Sequence, residues 1–316
     1  MVAPKNANGE GGVNPKLSAD DFVAALGDQL PNSSIATDTL ATVGSANLTI
    51  PFLYDLSQQI IAADLDAIVL AQGTDTLEES SYLLSLLVGN AKPVILTGAM
   101  RPASSLSADG PANIRDALVL AESLANGDTS LTGGVYAVMN GEIHDPARVR
   151  KTHTAALNAF ESDGGVIGRI DETQPHIDGQ SRPQPLYSVK KADLAKIRLV
   201  TATLDDDPDW VPHTLDGVSG LVVEAYGAGH VSEAWSDMLE GLAKEMPVVL
   251  ASRAGRGVIY QSTYAYKGAE IDLLARGLVS AGRLSGRKAR LALMIALAEA
   301  AKMGGSWQTA FSQMTA

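Results

Sequence analysis

The chain is 316 residues long, carries a formal net charge of -12 at neutral pH and contains no cysteine. The length favours about two domains, each large enough to bury a core of its own. The acidic balance excludes the electrostatic footprint of a nucleic-acid or anionic-membrane partner, and the lack of Cys excludes disulfides, thiolate metal sites and a thiol nucleophile. No apolar run approaches membrane-spanning length; the longest, Leu291 to Ala298, reads as a buried C-terminal helix. No secretory signal stands in the given chain, so the sequence leaves the compartment open between cytoplasm and periplasm.

Met1 to Lys16 is dense in Gly, Asn and Pro and reads as a mobile loop. Ser18 with Asp21 forms a capping pattern, and Phe22, Ala25, Leu26 and Leu30 give one face of a short helix stopped by Pro31. Ile35 to Val43 is the next strand candidate. From there the patterns alternate: a strand over Ala67 to Ala71, a helix after Asp75, a strand over Pro93 to Thr97, a helix over Pro111 to Leu124 and a strand over Gly134 to Met139. Such alternation predicts a parallel α/β domain. The run lacks the strand that normally feeds the first crossover, so a first element is expected to be missing.

Asp171 to Lys190, rich in Gln, Pro, His and Asp, has linker composition. The expected division is an N-terminal α/β domain over residues 1–180 carrying most of the site, a linker over 181–197 and a C-terminal α/β domain over 198–316. In the latter, Arg198 to Thr203, Gly220 to Glu224 and Pro247 to Ala251 read as strands, with helices around Ala234 to Leu242, Ile271 to Leu278 and Arg287 to Lys302.

The stretch DAIVLAQGTDTLEESSYLLSLLV, Asp66 to Val88, reads as a buried strand, a hydroxyl-rich turn and an amphipathic helix. Asp75 with Glu78 and Thr76 with Glu79 make two overlapping capping-box patterns, which alone explain these residues as ordinary caps. The other reading is chemical, because a helix start offers unpaired N–H groups to a carboxylate or an oxyanion. Four polar clusters are expected at strand ends, where ligands of open α/β sheets bind: Ser45 in GSAN, Thr74 with Asp75, Thr97 to Pro102, and Arg148 to Thr152. A Thr hydroxyl, a carboxylate and the Lys151 amine converging on one crevice suit amide hydrolysis. The five histidines show no paired metal-ligand spacing, no metal site is expected, and no phosphate loop or full dinucleotide fingerprint exists.

QGTDTLEES at Gln72 to Ser80 together with TGAMRPASSLSADGPAN at Thr97 to Asn113 resembles the bacterial-type L-asparaginase family. The likeness continues through KTHTAALNAFES from Lys151, GAGH at Gly227, PVVLASRAGRG at Pro247 to Gly257 and the C-terminal helices. It implies a larger flavodoxin-like N-terminal domain with a parallel sheet, a smaller C-terminal α/β domain, and a homotetramer built as a dimer of dimers. It also implies hydrolysis of L-asparagine, with L-glutamine as the alternative substrate, by a threonine nucleophile without a cofactor. Thr74, Asp75 and Lys151 match the family's catalytic positions, Asp75 also binding the substrate α-amino group. Ser45 matches the serine that holds the substrate carboxylate. Ala99 and His230 fall on substrate-binding positions, and Glu270 on the glutamate that reaches a neighbouring subunit's site.

Three departures accompany the likeness. Ala46 stands where many relatives have a substrate-contacting Gln, and His230 stands near the position of an Asn. The family's TGGTI turn with its primary threonine, and the tyrosine that follows it, do not occur in this sequence. The chain beginning at Met1 is therefore expected to be an N-terminally shortened form with little or no activity, restored by upstream sequence on the order of 10 to 20 residues. A non-catalytic Asp- or Asn-binding relative and an ammonia-releasing amidotransferase subunit are the alternatives. The first has no need of Lys151, and the second is expected to carry an extra N-terminal domain.

Overall fold

The computed structural model describes residues 17–181 and 184–315; the loop expected over Met1 to Lys16 lies outside the described residues. The chain divides into two compact units, Met1–Leu186 and Tyr187–Ala316.

In the first unit α1 (Ala19–Ala24) opens with the capping box read from the sequence: Asp21 N donates to Ser18 Oγ, and Ser18 N donates back to Asp21 Oδ2. Gly27, at φ +52°, turns the chain before Pro31, and of the expected apolar face only Leu26 is buried. Ile35 to Val43 forms no strand. It runs without ladder partners and leaves Leu40 and Val43 about half exposed, because neither face of the segment finds a core to cover. The next element is α2 (Ile50–Ala62), absent from the sequence expectation although its signals are plain. Thr49 Oγ1 caps it by accepting from Phe52 N, Pro51 sits in the first turn, and Leu53, Leu56 and Ile60 bury one helical face.

β1 (Ile68–Ala71), β2 (Val94–Thr97) and β3 (Val135–Met139) are parallel, joined by the crossover helices α3 (Leu77–Val88) and α4 (Gly110–Asn126). Every residue of α3 except Glu79 is buried. Two of its three serines, Ser81 and Ser85, tolerate this by returning hydrogen bonds to carbonyls three residues back. α4 lays Ala117, Leu120 and Ala121 on Ile95, Tyr136 and Val138 of the sheet. Among the described residues β1 is an edge strand, paired with β2.

Beyond β3 the sheet turns antiparallel. β4 (Glu142–His144) returns along β3 through Asn140 and Gly141, both at positive φ, a two-residue hairpin turn that fixes Met139 opposite Glu142. β5 (Val149–Lys151) and β6 (Phe160–Ser162) leave the main sheet and pair with each other. β7 (Gly168–Asp171) and β8 (Gln174–Ile177) complete it through a turn in which Glu172 and Thr173 both take positive φ. The start of the linker-like stretch after Asp171 is thus a strand.

The second unit is an all-parallel sheet of four strands, β9 (Ile197–Thr201), β10 (Gly220–Ala225), β11 (Val248–Ser252) and β12 (Val279–Ser280), in the order β12-β11-β10-β9. On one face α5 (Glu233–Ala243) buries Trp235, Leu239 and Leu242 against Leu221, Val223 and Leu250. The acidic loop before β10 is drawn into this core: Trp235 Nε1 donates to Asp206 O at 3.0 Å, and Trp210 meets Trp235 edge to face. α6 (Glu270–Ala275) precedes β12, α7 (Gly286–Met303) contains the apolar run expected to be buried, and α8 (Trp307–Thr315) packs on α7. No helix among the described residues is long and apolar enough to cross a membrane.

Candidate active site

Gly73 ends the extended segment after β1, and Thr74–Thr76 form a 3-10 turn that runs directly into α3. None of the expected capping bonds forms there, because the polar side chains of the turn are engaged elsewhere. Thr76 Oγ1 donates to Ser45 O at 3.1 Å, which ties the turn to a second 3-10 turn, Ser45–Asn47. Thr74 Oγ1 accepts from Lys151 Nζ at 2.9 Å. Asp75 Oδ1 accepts from the same Nζ at 2.6 Å. Glu78 is buried and accepts from the Lys151 backbone N–H at 2.6 Å through Oε2. The Thr74–Thr76 turn and the first turn of α3 together grip one lysine, which lies 77 residues downstream of Thr74, at three points.

Magnitudes separate structural from functional roles here. The Asp75 side chain is 71 % exposed, and ion pairs in that setting contribute about 0–1 kcal/mol, so the fold gains little from holding Lys151 there. Ser45 is the reverse case: its hydroxyl is buried and meets no hydrogen-bond partner among the described residues. An unmade hydrogen bond of that kind costs about 1–3 kcal/mol, so the fold does not gain from burying this hydroxyl. Gly73 makes room for it, since a Cβ at that position would lie 2.8 Å from Ser45 Oγ.

The second sequence motif braces the cluster from behind. A Cβ on Gly98 would stand 2.5 Å from Gln72 O and 3.1 Å from Thr74 Cγ2, so only glycine lets this loop close on the threonine. Asn113 Nδ2 donates to Gly98 O at 2.8 Å, and Asp109 accepts the N–H groups of Met100 and Arg101 at 2.9 and 2.8 Å. Ala99, half-buried, sits inside this clasp, and a Cβ on Gly110 would touch its methyl at 3.4 Å. Two residues of the expected clusters turn away: Thr97 Oγ1 donates to Val138 O, and the Arg101 guanidinium donates to Ser107. The shared sheet edge expected for the four clusters is replaced by a different arrangement. Ser45 lies in a turn with no strand before it, and Lys151 ends β5, outside the main sheet.

In the second unit Glu270 is fully buried. Its Oε1 accepts from Thr263 N at 2.9 Å and Tyr264 N at 2.7 Å, and its Oε2 pairs with His230 Nε2 at 3.1 Å. Burial pushes the Glu270 carboxyl up, but the Tyr264, Thr263 and Glu270 backbone N–H groups and His230 together hold it below the usual carboxylate range. The ionised carboxylate makes His230 Nε2 the donor, and Nδ1 lies within hydrogen-bond distance of Tyr266 Oη, at 3.2 Å. The rings of Tyr264 and Tyr266 flank the imidazole, with centroids 5.0 and 5.6 Å away. Among the described residues no group of three or more His, Asp or Glu side chains is placed to hold a metal ion.

Residues 2–183 match the family described as "Asparaginase, N-terminal", and residues 196–305 match "Glutaminase/Asparaginase C-terminal domain". The chain belongs to the asparaginase family. A protein of Haemophilus influenzae named "Probable L-asparaginase periplasmic" is 33 % identical over 90 % of this chain and 81 % of its own length. The "Probable L-asparaginase" of Deinococcus radiodurans is 35 % identical over 75 % of this chain and 72 % of its own. Among solved structures, "Probable Cytoplasmic L-asparaginase from Campylobacter jejuni" superposes with a TM-score of 0.79 at 28 % identity, covering 93 % of this chain and 90 % of that one. The asparaginase motifs at Gln72 to Ser80 and Thr97 to Asn113 are the segments that build the Thr74 turn and its brace. What the sequence did not disclose was Glu78, because its spacing from Asp75 reads equally well as a capping box.

Proposed function

We propose that this chain is an L-asparaginase-type amidohydrolase with L-asparagine as substrate and L-glutamine as its competitor, and that, as the family's primary threonine does not occur in the given sequence, Thr74 is the hydroxyl left to react, with slow turnover. The observation that carries the proposal is the Lys151 amine held on the Thr74 hydroxyl and the Asp75 carboxylate together. The exposed Asp75 carboxylate receives the substrate α-ammonium, and the unpartnered Ser45 hydroxyl donates to the α-carboxylate. Once the substrate ammonium pairs with Asp75, the Lys151 ammonium gives one proton to solvent, and the neutral amine then takes the proton of Thr74. Thr74 Oγ1 then bonds to the side-chain amide carbon as the C–N bond breaks, and the leaving ammonia carries away the proton that Lys151 accepted. Water cleaves the resulting ester, freeing L-aspartate and returning a proton to Thr74.

Asp75→Asn tests the recognition half of this scheme. Replacing a charge-assisted contact of about 1.5–3 kcal/mol should weaken L-aspartate binding about 10- to 100-fold, with turnover damaged as well and the melting temperature nearly unchanged. Calorimetric binding indistinguishable from the parent would remove Asp75 from the site.

A neighbouring subunit is part of the same reading: Glu270 is fully buried in its own chain, so its role in a second copy's site is exercised through His230, which its carboxylate holds at 3.1 Å. The protein is expected to be at least a dimer, and as a tetramer a dimer of dimers. Light scattering that shows a stable monomer at micromolar concentration would defeat the Glu270 role.

A further inference from the structure

Lys151 ends β5, whose strand partner is β6, in the register Lys151 opposite Phe160. Its main-chain N–H donates to the buried Glu78 carboxyl at 2.6 Å. Glu78 occupies the first turn of α3, immediately after the residues that hold the lysine's amine. The backbone and the side-chain end of Lys151 are thus both fixed by Thr74, Asp75 and Glu78, so the amine has a defined reach onto Thr74. A lysine side chain has four rotatable bonds and considerable rotamer freedom. Without Glu78 the strand end keeps its pairing with β6 but loses its backbone tie to α3, and a displacement of about 1 Å in a reacting group can cost two orders of magnitude in rate.

We propose that Glu78 is a positioning residue for the reaction: it holds the end of β5 so that the Lys151 amine stays on the Thr74 hydroxyl. Glu78 touches neither substrate nor the reacting atoms, and bears on the reaction through Lys151. The proposal rests on the amidohydrolase reading above, and the test separates the two. Glu78→Leu removes the acceptor. It should lower kcat for L-asparagine more than about tenfold while KM moves less than about threefold. Glu78→Gln keeps an acceptor oxygen and should restore most of kcat. In a Lys151→Met background Glu78→Leu should have no further effect, since nothing remains to position.

A second readout needs no activity: acetylation of the Lys151 amine by acetic anhydride, followed by mass spectrometry. The rate should rise several-fold in Glu78→Leu as the amine leaves Thr74 and Asp75, and stay near the parent value in Glu78→Gln. If Glu78→Leu yields no folded protein, Glu78→Asp, which withdraws the carboxylate by one methylene, must show the same rise. Unchanged acetylation in the folded variant, or a kcat loss that persists undiminished without Lys151, would overturn the positioning role. Absence of L-asparagine hydrolysis by the parent would instead remove the amidohydrolase reading, with the acetylation rates still deciding whether Glu78 holds Lys151.

Discussion

Lys151→Met is expected to lower kcat for L-asparagine by about 100- to 10,000-fold, the range for loss of a positioned acid–base group, with KM changed less than about threefold. The split follows from where the amine sits. Its Nζ is bonded to Thr74 and Asp75, so what it contributes is proton transfer from the hydroxyl, a step that belongs to the transition state. Methionine keeps the length and most of the apolar stem while removing the charge and the proton. Stability should hardly move, because the exposed pair with Asp75 contributes at most about 1 kcal/mol, so inactivity could not be put down to unfolding. Steady-state kinetics with a calorimetric melt read both quantities, and a variant with raised KM and intact kcat would contradict the assigned role.

Thr74→Val should cost about 1,000-fold or beyond, since it deletes the nucleophilic oxygen and keeps the shape. Thr74 is buried, and the clearance behind its methyl is set by Gly98 and Gln72, which makes valine the substitution that least disturbs the packing. Because Thr74 and Lys151 act on one proton, their losses should not add: the double variant is expected to be no slower than Thr74→Val alone. Losses that multiply would mean two independent contributions and would separate the hydroxyl from the lysine.

The parts of this molecule that read correctly from sequence are those whose signals are local. The capping pair Ser18 and Asp21 forms as spaced, and the strands over Val94–Thr97 and Gly220–Ala225 follow from short β-branched runs between breakers. The hairpin at Asn140 and Gly141 carried an equally local signal, the Asn-Gly pair between two apolar runs, which the alternating strand–helix pattern obscured. Its counterpart at Glu172 and Thr173 gave none, because neither residue type favours positive φ and the tertiary fold imposes it. Ile35 to Val43 failed for the opposite reason: strand-like composition without a partner makes no strand. At the site, Thr74, Asp75 and Lys151 were marked by motif, yet the sequence does not say that α3's first turn also binds the backbone of a residue 73 positions away. Contacts that span such distances leave no periodicity to read. The expected missing first strand concerns sequence before Met1, and the residues nearest to it lie outside those described.

The most direct test is the release of ammonia and L-aspartate from L-asparagine by the purified 316-residue chain. Enzyme should be kept at a concentration comparable to substrate, so that even slow turnover is counted, with Thr74→Val and Lys151→Met run alongside. Thr74 as the reacting hydroxyl served by Lys151 predicts that the two products appear in equal amounts with the parent and that both substitutions suppress them at unchanged melting temperature. Release that survives either substitution, or a folded parent that leaves L-asparagine intact, would contradict it.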